Sequence, residues 1–232
     1  MNSSPLIIAL DVESAADARA LVRALGNSTS FYKVGLELYT AAGMDFVREL
    51  IAEGKQVFVD LKLYDIGETV KRATAQVARS GAMFLTVHAQ DQVVRAAVEG
   101  KVDSELGILA VTVLTSFDQN DIQRDGCAEP LSAVVDRRVR TAVKAGAEGI
   151  VCSALDVARV RQIAGPEITL VTPGVRSPGA GKGDQKRVAT PAEAIRNGAD
   201  YLVIGRQVTR AADPNAEVER ILDEIVKETA TA

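Results

Sequence analysis

Histidine occurs once and cysteine twice in these 232 residues, and 27 basic residues are outnumbered by 31 acidic ones. The single histidine, His88, leaves too few imidazoles for a zinc or iron centre that needs two of them. Cys127 and Cys152 are too few for a disulfide framework and lack CxxC spacing, which suits a reducing compartment. A net charge of −4 offers no global attraction to nucleic acid or to an anionic membrane, so an anionic ligand must be met by local basic groups. Long apolar runs are missing as well; none approaches the ~18 residues of a membrane span. The first apolar run, Leu6 to Leu10, has no basic region before it and is cut short by Asp11, so no signal peptide is expected. The expectation is a soluble, cytoplasmic protein without nucleic-acid or membrane partners.

What the chain does have is alternation. Short apolar runs end near Asp11, Gly35, Leu63, His88, Leu114, Cys152, Thr172 and Ile204, and a helical segment follows each. Ser14 with Asp17 three residues on caps the first helix, and Gly26-Asn27 stops it. The second helix is expected from about Glu37 to Ala52, closed by Glu53-Gly54, the third from about Ile66 to Ser80, and 118–130 reads as polar and irregular. Eight strands with eight helices, at about 25 to 30 residues per unit, fit either a closed barrel or an open doubly wound sheet. The open sheet calls for a glycine fingerprint after its first strand. Asp11-Val12-Glu13-Ser14 has none, and GxxxxGK[ST] is absent throughout. A single-domain (β/α)8 TIM barrel over residues 1–232 is therefore expected.

Such barrels carry their chemistry at the C-terminal ends of the strands. Here those ends read Asp11, Lys33, Asp60 with Lys62, His88, Thr115, Ser153, Pro173 and Arg206. Strand parity puts Asp11 on one face with Ile7 and Ala9, Lys33 with Phe31, and Asp60 with Lys62, while Val57, Val59, Leu61 and Leu63 take the opposite, helix-facing side. Four charges thus point inward from three consecutive strands. His88 also ends its strand facing inward, where a hydrogen-bonded supporting residue is expected. After the seventh strand comes a long segment rich in glycine and proline, beginning Pro173-Gly174-Val175-Arg176, and Gly205-Arg206 closes the eighth. Loops after strands seven and eight are the usual phosphate site of this fold, and arginines there supply charge-assisted bonds.

Together, Ala9-Leu10-Asp11, Tyr32-Lys33-Val34-Gly35, Asp60-x-Lys62-x-x-Asp65-Ile66, Val113-Leu114-Thr115-Ser116, Thr172-Pro173-Gly174-Val175-Arg176, Gly183-Asp184-Gln185 and Ile204-Gly205-Arg206 resemble the bacterial-type orotidine 5′-monophosphate decarboxylase family. The likeness covers essentially the whole chain. One local departure is Gly67-Glu68 before Thr69, where many members have Pro-Asn. The resemblance implies decarboxylation of orotidine 5′-monophosphate to uridine 5′-monophosphate without metal or organic cofactor. It implies Lys62, Asp60, Asp65 and Lys33 as the catalytic group and Asp11 with Lys33 at the ribose. Thr115 would serve the pyrimidine region, with Pro173, Arg176, Gln185, Gly205 and Arg206 lining the site or binding the phosphate. It further implies a homodimer in which Asp65, Ile66 and Thr69 complete the neighbouring subunit's site.

The charges rationalise that chemistry. Loss of CO2 leaves an electron pair at C6 of the ring, and an ammonium held between carboxylates is suited to stabilise and then protonate it. The nearest alternative is a magnesium-dependent sugar-phosphate decarboxylase or synthase of the same suprafamily. Those enzymes carry a glutamate metal ligand after the second strand, where Lys33 stands here. A non-catalytic nucleotide-binding barrel is the other alternative, but holding a ligand does not require three crowded charges.

Overall fold

The apolar runs become eight parallel strands: β1 (Leu6–Ala9), β2 (Phe31–Gly35), β3 (Gln56–Leu63), β4 (Phe84–His88), β5 (Gly107–Val111), β6 (Gly149–Val151), β7 (Thr169–Pro173) and β8 (Tyr201–Ile204). Each strand pairs with its sequence neighbours and β1 pairs with β8, closing the barrel. A computed structural model describes residues 4–178 and 189–229. Outside the strands lie α1 (Ala15–Leu25), α2 (Leu36–Ala52), α3 (Gly67–Ala78), α4 (Asp91–Gly100), α5 (Gln119–Arg124), α6 (Leu131–Lys144), α7 (Val157–Ala164), α8 (Pro191–Arg196), α9 (Arg206–Thr209) and α10 (Pro214–Thr229). The architecture is the (β/α)8 TIM barrel. Among the described residues no helix is long and apolar enough to cross a membrane.

Parity divides the core into two layers. Ile7, Ala9, Phe31 and Phe58 belong to a cluster inside the barrel, whereas Ile8, Leu10, Val57 and Val59 pack between strands and helices. This is the alternation of a strand buried on both faces. The interior is plugged toward the strand N-termini by aromatic rings meeting near right angles, Phe31 with Tyr201 at 5.5 Å and Phe58 with Phe84 at 6.2 Å. The charged residues therefore have only the C-terminal mouth to occupy.

Local signals set the helix ends. Ser14 Oγ accepts the Asp17 N–H at 3.2 Å, and Gly26 leaves α1 at φ 53°, a left-handed turn that suits glycine. Thr190 and Glu193 cap α8 reciprocally, with Pro191 in its first turn.

Three expectations need correction. The second helix is interrupted at Gly43, where φ 68° and ψ −168° break the helical path. The third runs as expected, starting at Gly67 after an Ile66 cap that supplies no side-chain bond. Part of 118–130 is the short helix α5, nucleated by a reciprocal cap between Asp118 and Asp121. The fifth strand stops at Val111, which frees Val113, Leu114 and Thr115 to line a cavity.

Gly100 ends α4 where a Cβ would lie 2.3 Å from the Lys71 carbonyl oxygen on α3. Both partners are backbone, so no rotamer change relieves the contact. Gly100→Ala is expected to lower unfolding stability by about 1–3 kcal/mol, read from urea denaturation; an unchanged midpoint would show that α3 and α4 separate freely.

Candidate active site

The barrel mouth opens into a cavity of about 350 Å³. Phe58, Val111, Val151 and Val203 form apolar parts of its lining, and Asp11, Lys33, Asp60, Lys62, Thr115, Pro173, Arg176, Gly205 and Arg206 bring polar groups to the same space. Nine of the site residues expected from sequence thus meet in one cavity, although they come from six strand ends.

Four of them form a chain of alternating charge. Lys33 Nζ lies 2.9 Å from Asp11 Oδ1 and 3.5 Å from Asp60 Oδ2, and Lys62 Nζ donates to Asp60 Oδ1 at 2.8 Å. The side chains of Lys33 and Asp60 are only 9% and 12% exposed, so water does little to screen their attraction. Burial opposes the charge on Lys33, yet Asp60 and Asp11 outweigh it and hold the Lys33 pKa above its ordinary value. Burial likewise opposes ionisation of Asp60, but Lys33, Lys62 and the Thr86 hydrogen bond win and lower its pKa. Gly35 keeps room for this chain, since a Cβ there would stand 2.7 Å from Lys33 Nζ.

Lys62 is aimed by an irregularity in β3. From Val59 to Leu63 the strand takes four steps, while its partner β4 takes two, from Leu85 to Val87. The extra length is absorbed as a bulge, and Lys62 adopts φ 49°, one of two non-glycine residues with positive φ among those described. That conformation costs of order 1–3 kcal/mol and persists only where the surroundings enforce it. Thr86 on β4 does so. Its Oγ1 accepts the Lys62 N–H at 3.0 Å and donates to Asp60 Oδ1 at 2.8 Å, tying strained backbone and carboxylate to one hydroxyl. Sequence reasoning missed Thr86, although its parity with Phe84 and His88 marked it as inward-facing.

Across the cavity stands the arginine pair. Arg176 is 8% exposed, with Nη1 donating to the Val175 carbonyl at 2.8 Å. Burial and the neighbouring Arg206 charge both lower its pKa. Gly174, at φ 79°, turns the chain between β7 and Arg176.

Other expected residues lie elsewhere. Asp65, Ile66 and Thr69 are exposed and outside the cavity; Asp65 Oδ1 accepts the Ile66 N–H at 2.6 Å rather than meeting Lys62. Gln185 lies outside the described residues. His88 lines a neighbouring cavity of about 340 Å³ and meets the edge of Tyr64 at 5.6 Å. Support for Asp60 comes from Thr86 instead.

A closed parallel barrel with its ionisable groups gathered at the C-terminal mouth, opposite two arginines, defines a (β/α)8-barrel enzyme. Residues 4–221 match the Orotidine 5′-phosphate decarboxylase / HUMPS family, and the chain belongs to it. It is 50% identical over 224 residues to the orotidine 5′-phosphate decarboxylase of Rhodopseudomonas palustris (strain BisA53), covering 97% of this chain and 95% of that one. The enzyme of the same name from Afipia carboxidovorans is 49% identical over 220 residues, covering 95% of this chain and 94% of that one. The crystal structure of orotidine 5′-phosphate decarboxylase from Lactobacillus acidophilus superposes with a TM-score of 0.85 at 33% identity, covering 95% and 98% of the two chains.

Thr86→Val keeps the shape of the side chain but removes both bonds, leaving the Lys62 N–H without its acceptor. A loss of about 1–3 kcal/mol in unfolding free energy is expected, with Thr86→Ser close to wild type. Equal stability of the valine variant would mean that the bulge is held by something else.

Proposed function

We propose that this chain converts orotidine 5′-monophosphate to uridine 5′-monophosphate and CO2, the de novo step that supplies pyrimidine nucleotides. One observation carries the reading: the Asp11–Lys33–Asp60–Lys62 chain and the Arg176/Arg206 side share one cavity of about 350 Å³, of a size to hold a nucleotide. Membership of the family and near-full-length identity to decarboxylases support it.

In this reading the phosphate lies with Arg176, Arg206 and Gly205, the ribose hydroxyls with Asp11 and Lys33, and the pyrimidine near Thr115 and Pro173. The C6 carboxylate then points at Asp60 and Lys62. The C6–carboxylate bond breaks, CO2 departs, and the electron pair stays on C6 in the field of the Lys62 ammonium. Lys62 delivers its proton to C6 and recovers one from solvent. Asp60 holds Lys62 in place and opposes the substrate carboxylate until it becomes neutral CO2. Rate enhancements by enzymes correspond to ~8–23 kcal/mol, beyond what one ion pair supplies. Binding energy from the remote phosphate, spent on placing the carboxylate, provides the remainder. The Lys33 ammonium between Asp11 and Asp60 disfavours the magnesium-dependent alternative, because it stands where a metal bound by both carboxylates would sit.

The site is completed by a second copy of the chain. Asp65, Ile66 and Thr69 leave their own cavity for solvent, with Ile66 77% and Tyr64 65% exposed. Two large apolar side chains flanking an acidic one suit insertion into a partner more than exposure to water.

Purified protein in excess EDTA is expected to release CO2 from orotidine 5′-monophosphate with loss of the orotate absorbance. Lys62→Ala should lower turnover by at least ~10⁴-fold while still binding UMP. Turnover only of a keto-sugar phosphate, and only with Mg²⁺, would replace this reading by the alternative.

Mixing inactive Lys62→Ala and Asp65→Ala subunits should restore about a quarter of wild-type activity. Half of the dimers would then be mixed, each with one intact site. No recovery in verified heterodimers would assign Asp65 to its own chain's site or to neither.

A further inference from the structure

Arg176 and Arg206 are each followed by a residue of a hydrogen-bonded ring that takes no part in the chemistry described above. Ser177 follows Arg176 and is 3% exposed; Gln207 follows Arg206 on α9. The Gln207 side-chain amide grips Ser177 twice, with Oε1 accepting the Ser177 N–H at 3.2 Å and Nε2 donating to Ser177 Oγ at 2.9 Å. The same Nε2 donates to Glu217 Oε1 on α10 at 2.8 Å. Arg220, one turn along α10, closes the ring by donating to Ser177 Oγ at 2.9 Å and to Glu217 at 2.7 and 3.0 Å. Four side chains thus join the end of β7, the helix after β8 and the outer helix α10.

The placement of the ring gives it a purpose. Two guanidinium groups lining one cavity repel each other, and nothing in a parallel ladder fixes the distance between chain segments beyond the strand ends. The Ser177–Gln207 pair is a neutral tie one residue beyond each arginine. With Glu217 opposite, an amide suits the position, because it accepts from the Ser177 N–H and donates to both Ser177 Oγ and Glu217. A carboxylate of the same length keeps the first bond and accepts from the Ser177 hydroxyl, but it loses the donation to Glu217 and faces it as a like charge.

The geometry points to Gln207 as a positioning residue that, through Ser177 and with Glu217 and Arg220, sets the spacing of Arg176 and Arg206 for the phosphate of a nucleoside monophosphate. This rests on the proposed nucleotide-binding reading of the cavity, and it assigns the ring a role in selecting the phosphorylated ligand over the bare nucleoside.

The test compares dissociation constants for UMP and for uridine. In Gln207→Met, similar in length but unable to bond, UMP affinity is expected to fall ~10-fold and kcat/KM for orotidine 5′-monophosphate to fall in parallel. Uridine affinity should stay within ~2-fold, because the nucleoside does not reach the arginines. Gln207→Glu should lose UMP affinity at least as strongly. Adding Glu217→Gln, which exchanges the amide and the carboxylate, should return UMP affinity to within ~3-fold of wild type. That rescue also keeps the comparison decisive if Gln207→Met does not fold. Equal weakening of UMP and uridine, unchanged UMP affinity in folded Gln207→Met, or no rescue by the exchange would each overturn the assignment. Wild-type protein that holds UMP no tighter than uridine would instead remove the nucleotide reading itself, and this inference with it.

Discussion

One largely buried carboxylate shared by two ammonium groups governs the mouth of this barrel. Alone in the position it occupies, Asp60 would be driven toward its neutral form by desolvation. Lys33 on one side and Lys62 on the other keep it ionised, and Asp11 balances Lys33 in turn. Each member makes its neighbour's burial tolerable, and the loss of one partner would leave an uncompensated charge, typically a matter of 3–5 kcal/mol. Three adjacent parallel strands are what allows it. Gly35 aligns with Asp60, and Ala9 with Lys33, so the charges emerge within bonding distance at one level of the barrel. Antiparallel neighbours would send alternate strand ends to opposite rims.

The bulge in β3 adds an orientation that a regular strand does not supply. Thr86 stabilises the positive-φ backbone of Lys62 and the charge of Asp60 with the same oxygen, so backbone strain and electrostatics are coupled at one point. Strain of this kind is sustained by rigid surroundings. Those surroundings are the two apolar layers, with aromatic rings filling the barrel below the cavity.

The alternation of β3 was legible because the bulge is even. Two extra residues leave Val59 and Leu63 on the same, outward face, so reading by twos survives an irregularity that it cannot detect. The bulge itself is a relation between β3 and β4, and neither segment alone records it. Thr86 was hidden for a similar reason: a threonine in a strand is ordinary until its partner across the ladder is known to be a buried carboxylate. The break at Gly43 escaped because a glycine is compatible with a helix or a left-handed turn, and tertiary contacts choose between them. The short helix α5 was more accessible, since Asp118 and Asp121 stand at capping-box spacing, but aspartate at the third position is a weaker signal than glutamate. Asp65 could be read as an outward-reaching residue only from its place beyond the strand end. In the proposed dimer, its contacts are set by a second chain.

The two sides of the cavity handle like charge in opposite ways, and the difference bears on how binding can serve catalysis. Around Asp60 ammonium and carboxylate alternate, so the charges there are already satisfied before a ligand arrives. In the proposed placement the substrate carboxylate enters beside Asp60, gains little and is repelled, and that repulsion disappears when CO2 forms. On the arginine side, Arg176 is buried, bonded to its own neighbour's carbonyl, and disfavoured by the charge of Arg206. A phosphate bound there, as proposed, would relieve that repulsion. In this proposed pose favourable binding is concentrated away from the reacting carbon and unfavourable contact beside it, a distribution in which attraction at one end of a rigid ligand can hold the other end where it would not otherwise stay. Such a transfer of free energy requires that the arginines not drift apart when the ligand strains. On the proposed reading, the connection between the segments after β7 and β8 is then as relevant to the reaction as the charges themselves.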